Sequence, residues 1–195
     1  MRAIFFDLDD TSLRFTRPYE DLLADAFRDV HGEVEASWLE TYNGSFFDAL
    51  EAMDPDPYRR AFRATGHDPD PLVDALRERE LSACEPLADA EADLRRLSEG
   101  HRLGVLANGV MEWQRAKLAA SGLDRFFDAV VVSYEVGAHK PDPAAFGAAE
   151  KRLPADDYAM VGDSDADVDG ADRAGWAAHR YDGGGFGDLP DALEW

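Results

Sequence analysis

The chain has 195 residues, 45% hydrophobic and 31% charged, which suits one domain with a buried core, or one domain carrying a modest insertion. Its 41 acidic and 20 basic residues give a net charge of −21, which argues against nucleic acids and anionic membranes as partners. Cys84 is the only cysteine, so an internal disulfide and a cysteine-based zinc cluster are excluded.

The sequence also indicates where the protein works. No apolar run approaches the roughly 18 residues of a membrane span, and acids interrupt the N-terminus before a signal-peptide core could form. We therefore expect a cytoplasmic protein. Only Lys117, Lys140 and Lys151 are lysines, and an acid-rich, lysine-poor composition is typical of organisms that accumulate intracellular salt. We predict a halophilic protein; an acidic protein from an ordinary organism is the alternative.

The first predicted element is a buried parallel strand over Ala3–Leu8, a compact apolar run that ends in acids. From about Pro18 to Cys84 the pattern becomes helical, with breaks at glycines, prolines and Asn43-Gly44. Short amphipathic helices are predicted in this stretch over residues 21–30, 45–53, 57–66 and 71–80.

After Pro86 the pattern becomes an alternation of helices and strands. Helices over residues 88–100, 111–122, 143–153 and 167–175 precede strands over residues 102–107, 128–133, 158–163 and 176–181, respectively. Such alternation predicts an α/β fold, a Rossmann-like parallel sheet with helices on both faces. The first strand joins this sheet, so we predict a core domain of residues 1–13 and 85–195 and an inserted small all-helical domain of residues 14–84.

Polar residues follow the strands of the predicted sheet, where such sheets bind ligands. They are Asp7, Asp9, Asp10 and Thr11 after the first strand, Asn108 and Gly109 after the second, Lys140 beyond the third, and Asp163, Ser164 and Asp167 at and after the fourth. Clustered carboxylates repel one another and need a cation, and oxygen ligands suit Mg²⁺. A carboxylate can also be a covalent nucleophile. A lone Asp can simply cap a turn, but that account does not explain the whole set.

Four segments resemble, in order and spacing, the motifs of the haloacid dehalogenase-like hydrolase superfamily. They are FFDLDDT, the strand ending in Asn108-Gly109, HKPDPAAF and VGDSDADVDGA, and together they cover the chain from Ala3 to about Gly175. The resemblance implies a phosphatase-type member. The helical stretch over residues 14–84 falls where that family inserts its helical cap, directly after the first motif.

The resemblance also implies roles for individual residues. Asp7 would attack the substrate phosphorus and form an aspartyl phosphate, and Asp9 would protonate the leaving oxygen and then activate water. Mg²⁺ would be held by the Asp7 carboxylate, the Asp9 backbone carbonyl and Asp163, with Asp167 in support; Asp167 could instead serve its helix dipole. Lys140 would neutralise charge between nucleophile and phosphate.

The second motif departs from the family pattern. Asn108 and Gly109 would offer backbone amides to the phosphate, but Ala107 stands where the family usually has Ser or Thr. Loss of one such donor typically costs about 10²–10³ in turnover. Backbone amides or nearby hydroxyls could compensate in part, the candidates being Thr11, Ser12 and Ser164.

The leading hypothesis is a Mg²⁺-dependent phosphohydrolase acting on a small phosphorylated metabolite. Two alternatives stay open: a haloacid dehalogenase, against which Asp9 argues because dehalogenases carry another residue there, and a catalytically decayed relative that binds a phosphate ligand, which Ala107 favours. The substrate and the specificity residues of the cap are not predicted. A monomer or homodimer is expected from base rates.

Overall fold

The computed structural model describes residues 1–193. Its strands are β1 (Arg2–Phe6), β2 (Leu13–Phe15), β3 (Cys84–Pro86), β4 (Arg102–Ala107), β5 (Ala129–Val132), β6 (Asp157–Gly162) and β7 (Ala177–Arg180). Its α-helices are α1 (Tyr19–His31), α2 (Ala36–Glu51), α3 (Pro57–Ala64), α4 (Pro69–Ala83), α5 (Ala90–Ser98), α6 (Met111–Ser121), α7 (Ser133–Val136), α8 (Pro143–Arg152) and α9 (Asp165–Ala174). Short 3₁₀ helices cover Asp124–Phe126 and Asp191–Leu193.

β1 lies at the centre of a five-stranded parallel sheet of order β5-β4-β1-β6-β7. Phe5 pairs with Gly104 on one side and Met160 on the other. A strand that is paired along both edges and covered on both faces must be apolar throughout, which is why Ala3 to Phe6 is an unbroken buried run. α5, α8 and α9 contact the strands of this sheet. The predicted α/β fold with a parallel sheet is confirmed.

The first strand ends two residues earlier than predicted. Beyond Phe6 the chain leaves the sheet in a tight turn, in which the amides of Ser12 and Leu13 both donate to the Leu8 carbonyl. Asp10 in this turn has φ 57°, in the left-handed region that Asp tolerates better than most residues. The acids of the first motif therefore lie on a loop, where their carboxylates can converge on one point.

The chain divides into two compact units, Met1–Arg14 with the chain from Glu85 onward, and Phe15–Cys84. The second unit consists of α1 to α4, and its buried centre is aromatic: the Phe62 ring lies 5.5 Å from Phe27 and 4.5 Å from Tyr42 between ring centroids. The predicted break at Asn43-Gly44 is wrong, because α2 continues through both residues. The short helix predicted over residues 45–53 is the C-terminal part of this longer helix, which ends at Glu51. A helical glycine costs about 1 kcal/mol relative to Ala, and burial of Tyr42 and Ala49 on one face of α2 offsets that cost.

None of the helices within residues 1–193 combines the length and apolar character that crossing a bilayer requires.

The acidic surface leads to a prediction about salt. Surface ion pairs such as Arg79–Asp29, with 2.6 Å between nitrogen and oxygen, use many of the cations, but acids outnumber bases 41 to 20. If the acidity is a halophilic adaptation, the melting temperature should rise by about 5 °C or more between dilute buffer and ~1–2 M KCl, because screening removes self-repulsion. Potassium chloride is chosen over sulfate, which stabilises proteins by surface exclusion. An unchanged melting temperature would contradict the halophilic assignment.

Candidate active site

The predicted site residues of the sheet unit meet at the carboxyl edge of the sheet. Asp7 follows β1, Asn108 follows β4 and Asp163 follows β6, while Lys140 comes from the loop after α7. The chain adds β4 and β5 on one side of β1 and then crosses to β6 on the other, so the site lies at the switch point where such sheets bind ligands.

The Lys140 ammonium is the hub of the site, and its side chain is only 2% exposed. It donates to Asp7 Oδ1 at 2.7 Å, to Asp167 Oδ1 at 2.5 Å and to the carbonyl of Leu106 at 2.7 Å. Burial lowers the Lys140 pKa, but the charges of Asp7 and Asp167 outweigh that effect and raise it above the ordinary value. All three ammonium hydrogens are used, so the position of the charge is defined by three acceptors.

Asp167 is fully buried at the start of α9, with both carboxylate oxygens engaged. Oδ1 accepts from Lys140, and Oδ2 accepts from the Ser164 hydroxyl at 2.5 Å and the Ser164 amide at 3.1 Å. A Cβ on Gly162 would lie 2.3 Å from the Asp167 Cγ, so this carboxylate occupies space that only a glycine leaves open. A simple role at the helix dipole does not require such burial.

Three carboxylates form a group that could hold a metal ion. Asp7, Asp163 and Asp167 each offer an oxygen, and these oxygens lie within 4.8 Å of one another. The Thr11 hydroxyl donates to Asp163 Oδ1 at 2.9 Å and orients that carboxylate. Burial raises the pKa of Asp7 to about 6, against the opposing charge of Lys140. An all-oxygen donor set whose three carboxylates outnumber the single positive charge of Lys140 fits Mg²⁺.

Asn108 and Gly109 make hydrogen bonds that the sequence did not indicate. The Asn108 side chain holds the Lys140 backbone in both directions: Nδ2 donates to the Lys140 carbonyl at 3.1 Å, and Oδ1 accepts from the Lys140 amide at 2.8 Å. The Gly109 amide, which is predicted to donate to the phosphate, donates to Ser133 Oγ at 2.9 Å. The short β5–α7 junction that carries Ser133 brings this hydroxyl under Gly109.

Ala107 is buried as the last residue of β4. The hydroxyls that could replace its missing donor are already engaged: Thr11 with Asp163, Ser12 with the Asp7 carbonyl at 2.7 Å, and Ser164 with Asp167. In this structure these hydroxyls orient the acids of the site.

Asp9 has two partners that the sequence did not predict. Lys117 Nζ donates to Asp9 Oδ1 at 2.5 Å, and Gln114 Nε2 donates to Asp9 Oδ2 at 2.9 Å. Burial opposes ionisation of Asp9, but the charge and hydrogen bond of Lys117 and the hydrogen bond of Gln114 outweigh it and hold its pKa below the ordinary value. A signal was present in the sequence: one of only three lysines stands three residues after a glutamine, on one face of the helix that follows the second motif.

Known proteins resemble this chain over most of its length. Residues 1–175 match the family model of the haloacid dehalogenase-like hydrolases. The chain is 30% identical to a glyceraldehyde 3-phosphate phosphatase of Methanopyrus kandleri, covering 97% of this chain and 87% of the relative. It is 32% identical to a phosphoserine phosphatase of Thermus thermophilus, covering 98% and 93%.

A solved structure adds a spatial match. The HAD-hydrolase YfnB from Bacillus subtilis bound to magnesium superposes with a TM-score of 0.69 at 25% identity, covering 91% of this chain and 85% of that one. The family model and the two phosphatase relatives together cover nearly the whole chain. The chain therefore belongs to the haloacid dehalogenase-like hydrolases, and its relatives include phosphatases.

Proposed function

We propose that this protein is a Mg²⁺-dependent phosphohydrolase that cleaves a small phosphorylated metabolite through an aspartyl phosphate on Asp7. The observation that carries the proposal is the buried ammonium of Lys140 set between Asp7 and Asp167, next to Asp163. Lys140 favours the ionised form of Asp7 against the effect of burial and orients its carboxylate, as a nucleophile that attacks a phosphate requires. The relatives that cleave small phosphate esters support it.

In the first half-reaction, an oxygen of Asp7 attacks phosphorus and the bond from phosphorus to the substrate oxygen breaks. Asp9 is ionised before substrate binds, takes up a proton as the negative charge of the substrate phosphate raises its pKa, and gives that proton to the leaving oxygen. In the second half-reaction, Asp9 takes a proton from a water molecule, whose oxygen attacks the phosphorus and releases inorganic phosphate and Asp7. Lys140 stays on Asp7 Oδ1, opposing the negative charge that accumulates when phosphate approaches.

The acidic group supplies the donors for the metal. Asp7 and Asp163 would hold Mg²⁺ through carboxylate oxygens and Asp9 through its backbone carbonyl. Asp167 would act in support, because its oxygens already bind Lys140 and Ser164. When bound, the ion would neutralise charge on the phosphate and orient it.

The helical unit of α1 to α4 is proposed as the cap. It is inserted directly after the loop that carries Asp7 and Asp9, where the family inserts its helical cap. On this proposal the sheet unit performs the reaction and the helical unit selects the phosphorylated metabolite.

The test is a phosphatase screen over sugar phosphates, nucleotides, phosphoserine and phosphoglycolate, run with and without Mg²⁺ in low and multimolar KCl. Release of inorganic phosphate that depends on Mg²⁺ is expected. Release of chloride from a 2-haloacid without metal would favour the dehalogenase instead. A protein that binds a phosphate ester but turns over none would favour the decayed relative.

The departure at Ala107 gives a prediction of its own. Ala107→Ser adds a hydroxyl beside the transferring phosphoryl group, where charge develops in the transition state, so it should raise kcat more than it lowers KM, by up to about 10²-fold. Serine is preferred to threonine because a branched methyl could crowd this buried strand end. Steady-state kinetics on the best substrate of the screen check this. An unchanged kcat in a folded variant would mean that another group already supplies the donor.

A further inference from the structure

The geometry points to Gln114 and Lys117 as positioning residues that hold the Asp9 carboxylate in place for its two proton transfers. This inference rests on the proposed function, which assigns those transfers to Asp9. Lys117 binds Oδ1 at 2.5 Å and Gln114 binds Oδ2 at 2.9 Å, so the carboxylate is held by both oxygens and cannot rotate without losing a partner.

The two donors are themselves immobilised. They stand one turn apart on α6, and both are nearly fully buried. Gln114 Nε2 also donates to the Asn108 carbonyl at 2.7 Å, which uses both hydrogens of the amide. Gly109 has φ 135°, and a Cβ there would lie 2.7 Å from Gln114 Nε2. The glycine of the second motif thus makes room for the amide that binds Asp9.

Asp9 is more exposed than Asp7 and Asp167, whose side chains are 15% and 0% exposed. Its side chain is 42% exposed, whereas the side chain of Lys117 is 7% exposed. The surrounding residues therefore hold the Lys117 side chain in place, and its hydrogen bond holds the Asp9 carboxylate. Each carboxylate oxygen has two acceptor sites, so an oxygen that accepts one hydrogen bond can still exchange a proton. Lys117 and Gln114 both bind the Asp9 carboxylate, so on this inference they act through Asp9.

The decisive experiment compares two phosphate esters. A simple alkyl phosphate needs a proton on its leaving oxygen, whereas p-nitrophenyl phosphate releases a stabilised phenolate. Lys117→Met should lower kcat/KM for the alkyl ester about 10- to 100-fold, which is the usual cost of losing a supporting partner. The same variant should lower kcat/KM for the aryl ester much less. Asp9→Asn should show the same dependence on the leaving group. Lys117→Arg, which retains a cation, should recover part of the loss.

A matched control lies on the same helix. Arg115→Met also removes one positive charge from α6, but Arg115 points to Glu135 at 3.7 Å, and its kinetics should equal those of the wild type. The double variant Asp9→Asn/Lys117→Met should be no slower than Asp9→Asn alone, because a residue that acts through Asp9 has nothing left to position. Additive losses, or equal losses on both esters, would overturn the inference. If Lys117→Met does not fold, the same comparison of the alkyl and aryl esters is made with Gln114→Leu, and the same outcomes support or overturn the inference.

A readout without turnover separates this inference from the proposed function. In a crystal structure of Lys117→Met we expect the Asp9 carboxylate to leave its position or adopt several conformers, while Lys140 keeps its bonds to Asp7 and Asp167. An Asp9 that stays in place would overturn the positioning role. A wild-type protein that cleaves no phosphate ester would instead reject the proposed function, and the position of Asp9 in the variant would still be decided by its structure.

Discussion

Asp7→Asn should abolish turnover of every phosphate ester while the protein keeps its fold. An amide cannot form the acyl phosphate, and removal of a nucleophile from a concerted catalytic unit typically costs about 10⁴-fold or more in kcat. The substitution is nearly isosteric, and Lys140 can still donate to the amide oxygen, so secondary structure by circular dichroism should match the wild type. Phosphate release in a sensitive assay is the measurement.

Asp169→Asn is the control for that substitution. It makes the same chemical change on α9, but the Asp169 side chain is 58% exposed and its nearest cation, Arg173, lies 3.9 Å away. Its activity should be unchanged. Comparable activity in Asp7→Asn would refute the covalent mechanism. Asp9→Asn should slow both half-reactions. If Asp9→Asn lowers turnover and Asp7→Asn does not, water attacks the substrate directly.

Lys140→Met should damage both stability and catalysis. The variant leaves two carboxylates, one of them fully buried, next to each other without their cation. Breaking a buried ion pair by removing one partner costs about 3–5 kcal/mol of unfolding free energy, or about 10 °C in melting temperature for a chain of this size. Turnover should fall by at least about 10²-fold, because the charge opposite the phosphoryl group is lost.

Lys151→Met is the control, since Lys151 is an exposed lysine in the last turn of α8. Its melting temperature and turnover should equal those of the wild type. The double variant Lys140→Met/Asp167→Asn removes one of the two carboxylate charges that the single variant leaves without a cation. It should therefore regain part of the lost melting temperature but none of the lost activity. Recovery of activity would show that Lys140 serves stability alone. Full stability of the single variant would contradict the ion-pair assignment.

The network around Lys140 fixes the position of its ammonium and of the Asp167 carboxylate. Asn108 holds the Lys140 backbone, Ser164 holds the far oxygen of Asp167, and Gly162 leaves space for that carboxylate. Donors and acceptors that are fixed before substrate binds need no reorganisation during the reaction, which is how electrostatic stabilisation becomes effective. Substitutions at these supporting positions are therefore expected to act through Lys140 and Asp167.

The sequence by itself determined the fold and the location of the site. Alternating helices and apolar strands dictate a parallel sheet, and parallel strands place Asp7, Asn108 and Asp163 at one edge whatever the details of packing. Lys140 could be included because its motif resembles that of a known family. These inferences depend on local pattern and topology, which a single sequence contains.

Only the tertiary structure decided which hydrogen bonds the site residues make. Lys117 meets Asp9 across 108 residues of chain and Gln114 meets it across 105, and such contacts depend on how α6 is rotated against the sheet. The hydrogen bond from the Gly109 amide to Ser133 and the continuation of α2 through Gly44 likewise depend on packing. Propensity and motif describe each segment alone, whereas burial and the pairing of every buried polar group are properties of the packed chain.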